Sequence, residues 1–338
     1  MNQRYSRQIL FPPIGAGGQE RLARSRVVIV GCGALGSVAA EQLVRAGIGS
    51  LRLIDRDFVE ESNLQRQCLF TEDHARLALP KAVAAESILG AMNSQVTVDG
   101  VVEDLTHRNA EALCAGSDLI LDGTDNFETR YLLNDYSLLT GRTWVYGACV
   151  GSYGTAFAFR PRVTPCLQCL FPQPPAPGSA ETCDTSGILA PVVHIVASYQ
   201  VAQVLKILVG AEPASTMLKA DVWENRMKLV SLEGARVPDC PCCGALELRF
   251  LKGTEGRRSV RLCGRNAVQV QAGGDSRTDL SRVARRLRPS GSVSLNDYMM
   301  KLEVNGYELA LFRDGRAIIR GTEDEKEARA IYARYIGC

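Results

Sequence analysis

An apolar run, Val27-Val28-Ile29-Val30, passes directly into Gly31-Cys32-Gly33-Ala34-Leu35-Gly36. Consecutive apolar residues ending at a glycine are the pattern of a parallel strand buried on both faces. The glycines permit a tight turn whose backbone N–H groups face an anion at the N-terminus of the next helix, here Ser37 to Ala46. Leu51-Arg52-Leu53-Ile54-Asp55 reads as a second strand and ends in a carboxylate, the position at which ribose hydroxyls find an acceptor. This βαβ unit seeds a doubly wound α/β domain with a Rossmann-like mixed sheet. On its own it does not separate a nicotinamide site from an ATP site.

The alternation continues downstream. Lys81 to Met92 reads as helix, Gln95 to Val101 as strand, and Asp118 to Asp122 as a strand leading into Gly123-Thr124-Asp125-Asn126. Thr143 to Tyr146, Thr155 to Phe159 and the stretch Met217 to Leu232 add strands. Pro172-Gln173-Pro174-Pro175-Ala176-Pro177-Gly178 is incompatible with helix or inner strand, so residues 171–186 are expected to form an extended crossover loop. The apolar stretch Ile188 to Val209 approaches membrane-span length. It carries His194, Gln200, Gln203 and Lys206, however, and reads as a buried or dimer-facing helix, with His194 in the core or an interface. A basic, glycine-containing break at 252–258 separates a domain of residues 1–250 from a small α+β module at 259–338. That module shows strands Val260 to Leu262, Ala267 to Val270, Tyr298 to Val304, Tyr307 to Phe312 and Ala317 to Arg320, with helices Leu280 to Leu287 and Glu325 to Tyr335. Asn305-Gly306 and Asp314-Gly315 are hairpin turn signals. A net charge of +2, 46% hydrophobic residues and a polar N-terminus lead us to expect a soluble cytoplasmic protein, with no electrostatic reason to invoke nucleic acid or a membrane.

The residues after the second strand narrow the chemistry. Asp55-Arg56-Asp57-Phe58-Val59-Glu60-Glu61-Ser62-Asn63-Leu64-Gln65-Arg66-Gln67 places two carboxylates, an amide and an arginine where a bound nucleotide would lie. Arg66 and Lys81 suit triphosphate oxygens and the charge that builds during attack at the α-phosphorus. Asp125 suits Mg²⁺ held against those phosphates, and Asn63 and Asn126 can donate to oxygen or fix the ribose. A nicotinamide-dependent oxidoreductase would share the glycine turn and Asp55 but would have no use for Arg66, Lys81 or Asp125. An inactive scaffold would not need to retain them.

Twelve cysteines in a cytoplasmic chain point to metal spacing or a reactive thiol rather than disulfides. Cys166/Cys169 and Cys240/Cys243 have the two-residue gap that lets both thiolates of a pair bind one Zn²⁺, and two such pairs make a closed, structural Cys₄ site. By spacing alone, Cys242 could stand in for Cys243. Cys183 lies on the loop ahead of the long helix, where a thiol can be accessible and activated. Cys32, Cys114 and Cys149 read as packing residues.

Together these motifs resemble the ubiquitin-activating-enzyme-like superfamily, in its bacterial homodimeric branch of molybdopterin-synthase and thiazole-biosynthesis sulfur-carrier adenylyltransferases. The matching pieces are Arg4-Tyr5-Ser6-Arg7-Gln8, Gly31 to Gly36, Ser62 to Gln67, Pro80-Lys81, Thr124-Asp125-Asn126-Phe127 with Thr129-Arg130, Cys166 to Pro172, and Cys240-Pro241-Cys242-Cys243-Gly244. The resemblance implies ATP, Mg²⁺ and structural Zn²⁺, a small ubiquitin-like sulfur-carrier protein as substrate, a separate sulfur donor and a homodimer. It places the nucleotide on Gly31, Gly33, Gly36, Asp55, Asp57, Ser62 to Arg66, Lys81, Asp125 and Asn126. It assigns catalysis to Arg66, Lys81, Asp125 and Arg7, the last reaching into the partner's site, and a conjugation or sulfur-transfer role to Cys183. It favours Cys243 as the fourth metal ligand. The chain departs from the family in a slightly longer Arg66–Lys81 spacer, in lacking a rhodanese-like segment, and in its 259–338 module. That module lacks the Gly-Gly tail of a carrier and reads as a docking or dimer-supporting unit. Its Cys338 reads as a disordered bystander rather than a redox thiol.

Overall fold

The computed structural model describes residues 3–175, 181–255, 259–262, 266–270 and 278–337. The chain forms two compact units, Met1–Ser179 with Gly187–Glu255, and Ala180–Ser186 with Gly256–Cys338.

The first unit is built on an eight-stranded sheet: β1 (Arg26–Val30), β2 (Ser50–Ile54), β3 (Thr97–Val101), β4 (Leu119–Asp122), β5 (Thr143–Val150), β6 (Tyr153–Phe159), β7 (Thr216–Asp221) and β8 (Arg226–Ser231), in the order β3-β2-β1-β4-β5-β6-β7-β8. The first five are parallel neighbours and the last three pair antiparallel. The continuous apolar run in β1 follows from burial on both faces. Val27 and Ile29 belong to one core with α1 (Ala34–Ala46) and α2 (Lys81–Met92), while Val28 and Val30 belong to another with α3 (Ala110–Cys114) and α4 (Phe127–Thr140). Trp144, fully buried, stacks on Phe159 in that second core at 4.7 Å.

Helix α5 (Ala190–Leu208) is long and apolar enough to cross a membrane by length and composition. It packs on α1, β5, β6 and β7, burying Val192, Val193, Val196, Ala197 and Val201. Its opposite side exposes His194, Ser198, Ala202 and Lys206 at helical spacing, so of the two places expected for His194, core or interface, the core is excluded. Residues 171–186 are not wholly extended either, since Cys183–Ser186 forms a single helical turn.

The second unit has an antiparallel six-stranded sheet of β9 (Ser259–Leu262), β10 (Ala267–Val270), β11 (Ser292–Leu295), β12 (Met299–Val304), β13 (Tyr307–Phe312) and β14 (Ala317–Arg320), ordered β11-β12-β13-β14-β10-β9. Helices α6 (Leu280–Leu287) and α7 (Glu325–Tyr335) share its core through Leu280, Ala284, Ala328 and Ile331. Asn305 and Gly306 both have positive φ, 50° and 81°, as a two-residue β12–β13 hairpin requires. The edge strand β11, mostly exposed, was not expected. Cys263 and Cys338 lie outside the described residues.

Candidate functional site

Strand β1 lies between β2 and β4, so the strand order reverses there and the C-terminal ends of these strands frame a crevice. The three glycines of its turn do different work. A Cβ on Gly36 would stand 1.9 Å from the Gly31 carbonyl oxygen, and one on Gly31, at φ +89°, 2.6 Å from the Gly123 carbonyl. Both therefore serve close backbone packing. At Gly33 a Cβ would meet nothing nearer than the Gln67 amide at 3.8 Å, so this glycine leaves room above the turn for a ligand. Such a cradle at the start of the 13-residue helix α1 fits a phosphate.

The buried Asp55 carboxylate holds the turn from beneath. One oxygen accepts from the Cys32 N–H at 2.6 Å and the other from the Asp57 N–H at 2.7 Å. Burial pushes the Asp55 carboxyl up, and Lys81 pulls against that shift. Lys81, the first residue of α2, is itself buried, with its Nζ 3.4 Å from Asp57 Oδ2. It reaches this place because its N–H donates to the Asp57 carbonyl at 2.9 Å and Pro80 bridges Phe58 across the intervening spacer.

Asn63 is buried in the turn Glu61–Asn63, its Oδ1 accepting from the Glu60 N–H at 3.3 Å and its Nδ2 donating to Ser62 at 3.4 Å. In this structure the amide serves the turn. Arg66, half-buried, donates from Nη1 to the Ser62 carbonyl at 2.7 Å, while Ser62 and Gln65 are exposed and Leu64 is half-buried. Asp125 is exposed, and Asn126 caps α4 by accepting from the Thr129 N–H at 2.8 Å. The Asp125 loop is fixed from below by a residue to which the sequence reading gave no role. Arg130 lies 3.2 Å from Asp122 and donates to the Thr124 and Gly147 carbonyls at 2.8 and 3.1 Å, between the rings of Phe127 and Tyr146. Burial is the largest influence and works against its charge, but Asp122, Tyr146 and Asp125 together outweigh it and hold its pKa above the ordinary value.

Arg7 is exposed on the short helix Ser6–Ile9. Its neighbour Gln8 donates to the Ala46 carbonyl at 2.8 Å, at the C-terminal end of α1. The glycine turn is at the other end of that helix, about 20 Å away at 1.5 Å per residue. Arg7 is thus anchored far from its own chain's crevice.

Cys166, Cys169, Cys240 and Cys243 bring their sulfurs within 4.8 Å of one another. The separations Cys166–Cys169, Cys166–Cys240 and Cys169–Cys243 are 3.8, 3.7 and 3.5 Å. A tetrahedron with Zn–S bonds of about 2.3 Å has edges of about 3.8 Å, so the four thiols fit such an ion. Cys242 is not one of the four. It accepts from Asn134 Nδ2 and donates to Asp135 Oδ1, both at 3.2 Å. These two α4 residues also hold the flanking backbone, Asn134 accepting from the Leu167 N–H at 2.8 Å and Asp135 from the Phe250 and Leu251 N–H groups at 2.9 and 3.2 Å. Cys183, half-buried at the start of its helical turn, belongs to the second unit.

The chain is similar to known proteins in sequence and in fold. The chain is 45% identical over 338 residues, all of both chains, to the sulfur carrier protein ThiS adenylyltransferase of Bacillus subtilis. It is 39% identical over 248 residues to the sulfur carrier protein adenylyltransferase of Thermus thermophilus, covering 71% of this chain and 90% of that one. E. coli MccB, solved with ATP, superposes with a TM-score of 0.63 at 25% identity, covering 72% of this chain and 75% of MccB. The glycine turn, the crevice and the cysteine cluster all fall within residues 5–243, and over residues 5–242 the sequence matches the ThiF family, to which this chain belongs.

Proposed function

We propose that the protein adenylates the C-terminal glycine carboxylate of a small ubiquitin-like sulfur-carrier protein, preparing it for thiocarboxylate formation in molybdopterin or thiamin biosynthesis. The observation that carries this reading is a buried Lys81, 3.4 Å from Asp57, next to a ribose-side acid, Asp55, below an open glycine turn. Hydride transfer gives such a lysine nothing to do. Full-length similarity to a ThiS adenylyltransferase supports the same substrate class. Activation of a carrier for tRNA thiolation or cysteine synthesis would use the same crevice.

In this reading Asp55 accepts from the ribose, while Gly33 and the α1 N-terminus receive phosphate. The carrier carboxylate attacks the α-phosphorus in line, forming the acyl–phosphate bond as the bond to pyrophosphate breaks. Lys81 and Arg66 hold the phosphates and offset the charge that develops there. Asp125, exposed and aligned by Arg130, would hold Mg²⁺, which supplies charge neutralisation on the phosphates. The cysteine cluster would hold a structural Zn²⁺. Arg7 completes the crevice of a partner subunit, a role supported by its distance from its own turn and by the exposed Leu10 and Phe11 beside it. A sulfur nucleophile from a separate donor displaces AMP from the acyl-adenylate to give the thiocarboxylate, with Cys183 as the candidate thiol for that transfer. The setting is cytoplasmic.

Intact-mass spectrometry of candidate carriers from the same organism, incubated with the protein and MgATP, tests this. An adenylate-shifted carrier is expected, and none once the terminal glycine is deleted. If Cys183 relays sulfur, Cys183→Ala forms the adenylate but no thiocarboxylate.

A further inference from the structure

The proposed chemistry leaves one ion pair in the crevice without a role. Arg56 follows the ribose-side acid, and its Nη1 lies 2.9 Å from Asp104 Oδ2, with Nε 3.8 Å from Asp57 Oδ1. Asp104 comes from the loop after β3, so the pair spans the ends of β2 and β3. Those two strand ends are already joined by the Asp55 N–H donating to the Val101 carbonyl at 3.1 Å. The Asp104 loop is rigid at this point. Asn109 donates to the Asp104 carbonyl at 2.9 Å and accepts from the Thr106 N–H at 2.7 Å. The side chains of Arg56 and Asp104 are 17% and 18% exposed, so each keeps a small accessible face. Burial opposes the Arg56 charge, but Asp104, Asp57 and Asp125 outweigh it and keep the guanidinium charged.

In a sheet of order 3-2-1-4 the nucleoside end of a nucleotide lies over the β1–β2–β3 side, with the phosphates at the glycine turn. Asp55 marks the ribose, and the next group outward along that side is the Arg56–Asp104 pair. A guanidinium held in one plane is a stacking surface for an aromatic base. A carboxylate at its edge accepts from an exocyclic amino group and repels a carbonyl oxygen.

We propose that Arg56 is the platform on which the nucleobase stacks, and that Asp104, besides fixing that platform, selects a 6-amino purine over a 6-oxo purine. This deepens the ATP-dependent reading above and rests on it.

The test is titration calorimetry of the full-length protein with ATP and with ITP, which differs from ATP at the 6-position, and with no carrier present. Wild type is expected to prefer ATP. Arg56→Ala should weaken both nucleotides about tenfold, a loss typical of base stacking, and Arg56→Lys should not restore them, because an ammonium has no plane. Asp104→Asn should narrow the ATP-to-ITP ratio about tenfold, since its amide can also donate to a 6-oxo group. The ratio is read within one preparation, so a partly folded variant cannot mimic it. Unchanged affinity in Arg56→Ala, full rescue by Arg56→Lys, or an unchanged ratio in Asp104→Asn each overturns the proposal. Wild type that binds neither nucleotide would instead overturn the ATP-dependent reading itself.

Discussion

On the side of the crevice proposed for the nucleoside, Asp55, Asp57, Arg56 and Asp104 are buried or half-buried and bonded to one another before any ligand arrives. On the phosphate side, Asp125 is exposed, Arg66 is half-buried, and the space above Gly33 is open. The first half is preorganised, so its residues should act mainly on nucleotide affinity and on folding. The second half is more exposed and would take up its main charged contacts with the phosphates, so its residues should act mainly on turnover.

The hardest test of that contrast is at the turn joining the two halves. Gly36→Ala puts a methyl 1.9 Å from a backbone oxygen that cannot move aside without opening the turn. A loss of at least about 4 kcal/mol is expected, read as the collapse of the urea midpoint, and a folded, ATP-binding Gly36→Ala protein would contradict it. Next is Asp122→Asn, which leaves the Arg130 guanidinium buried without its counter-charge. A cost of about 3–5 kcal/mol is expected, with the double variant Asp122→Asn/Arg130→Met less destabilised than the single one. Asp55 gives the smallest effect. Burial raises its carboxyl above the unfolded value of about 3.9, so the stability it contributes is full below that value and is lost as pH rises through the folded-state pKa. Asp55→Asn should therefore flatten the stability profile from about pH 4 upward through the folded-state pKa, while weakening ATP binding. An unchanged slope would show that Asp55 is ionised at no cost.

Much of the ribose half was legible because its signals are local: an apolar run, a glycine turn and an acid at a strand end. The paired cysteines were legible for the same reason, and the four sulfurs do converge. What escaped depends on contacts distant in sequence or on polar burial. Helix α4 was not read because its buried face includes Arg130, Asn134, Asp135 and Ser137, which hide the apolar period. Arg130 itself, the Arg56–Asp104 pair, and the bonds of Cys242 with Asn134 and Asp135 rest on partners 6 to 108 residues away, which no spacing rule reaches. Strand β11 escaped because it is short, serine-rich and mostly exposed, so burial imposed no alternation on it.

The measurement that bears most directly on the central claim is carrier-dependent ATP–pyrophosphate exchange, run on wild type and Asp125→Ala alongside their urea midpoints. Exchange should appear only with a carrier ending in glycine. In Asp125→Ala it should fall about 10²- to 10³-fold, while the midpoint shifts by no more than about 0.5 kcal/mol, as for an exposed side chain. Exchange that persists in Asp125→Ala would contradict the assignment of the open half to turnover, and no exchange with any glycine-terminated carrier, despite ATP binding, would contradict adenylation of a sulfur carrier.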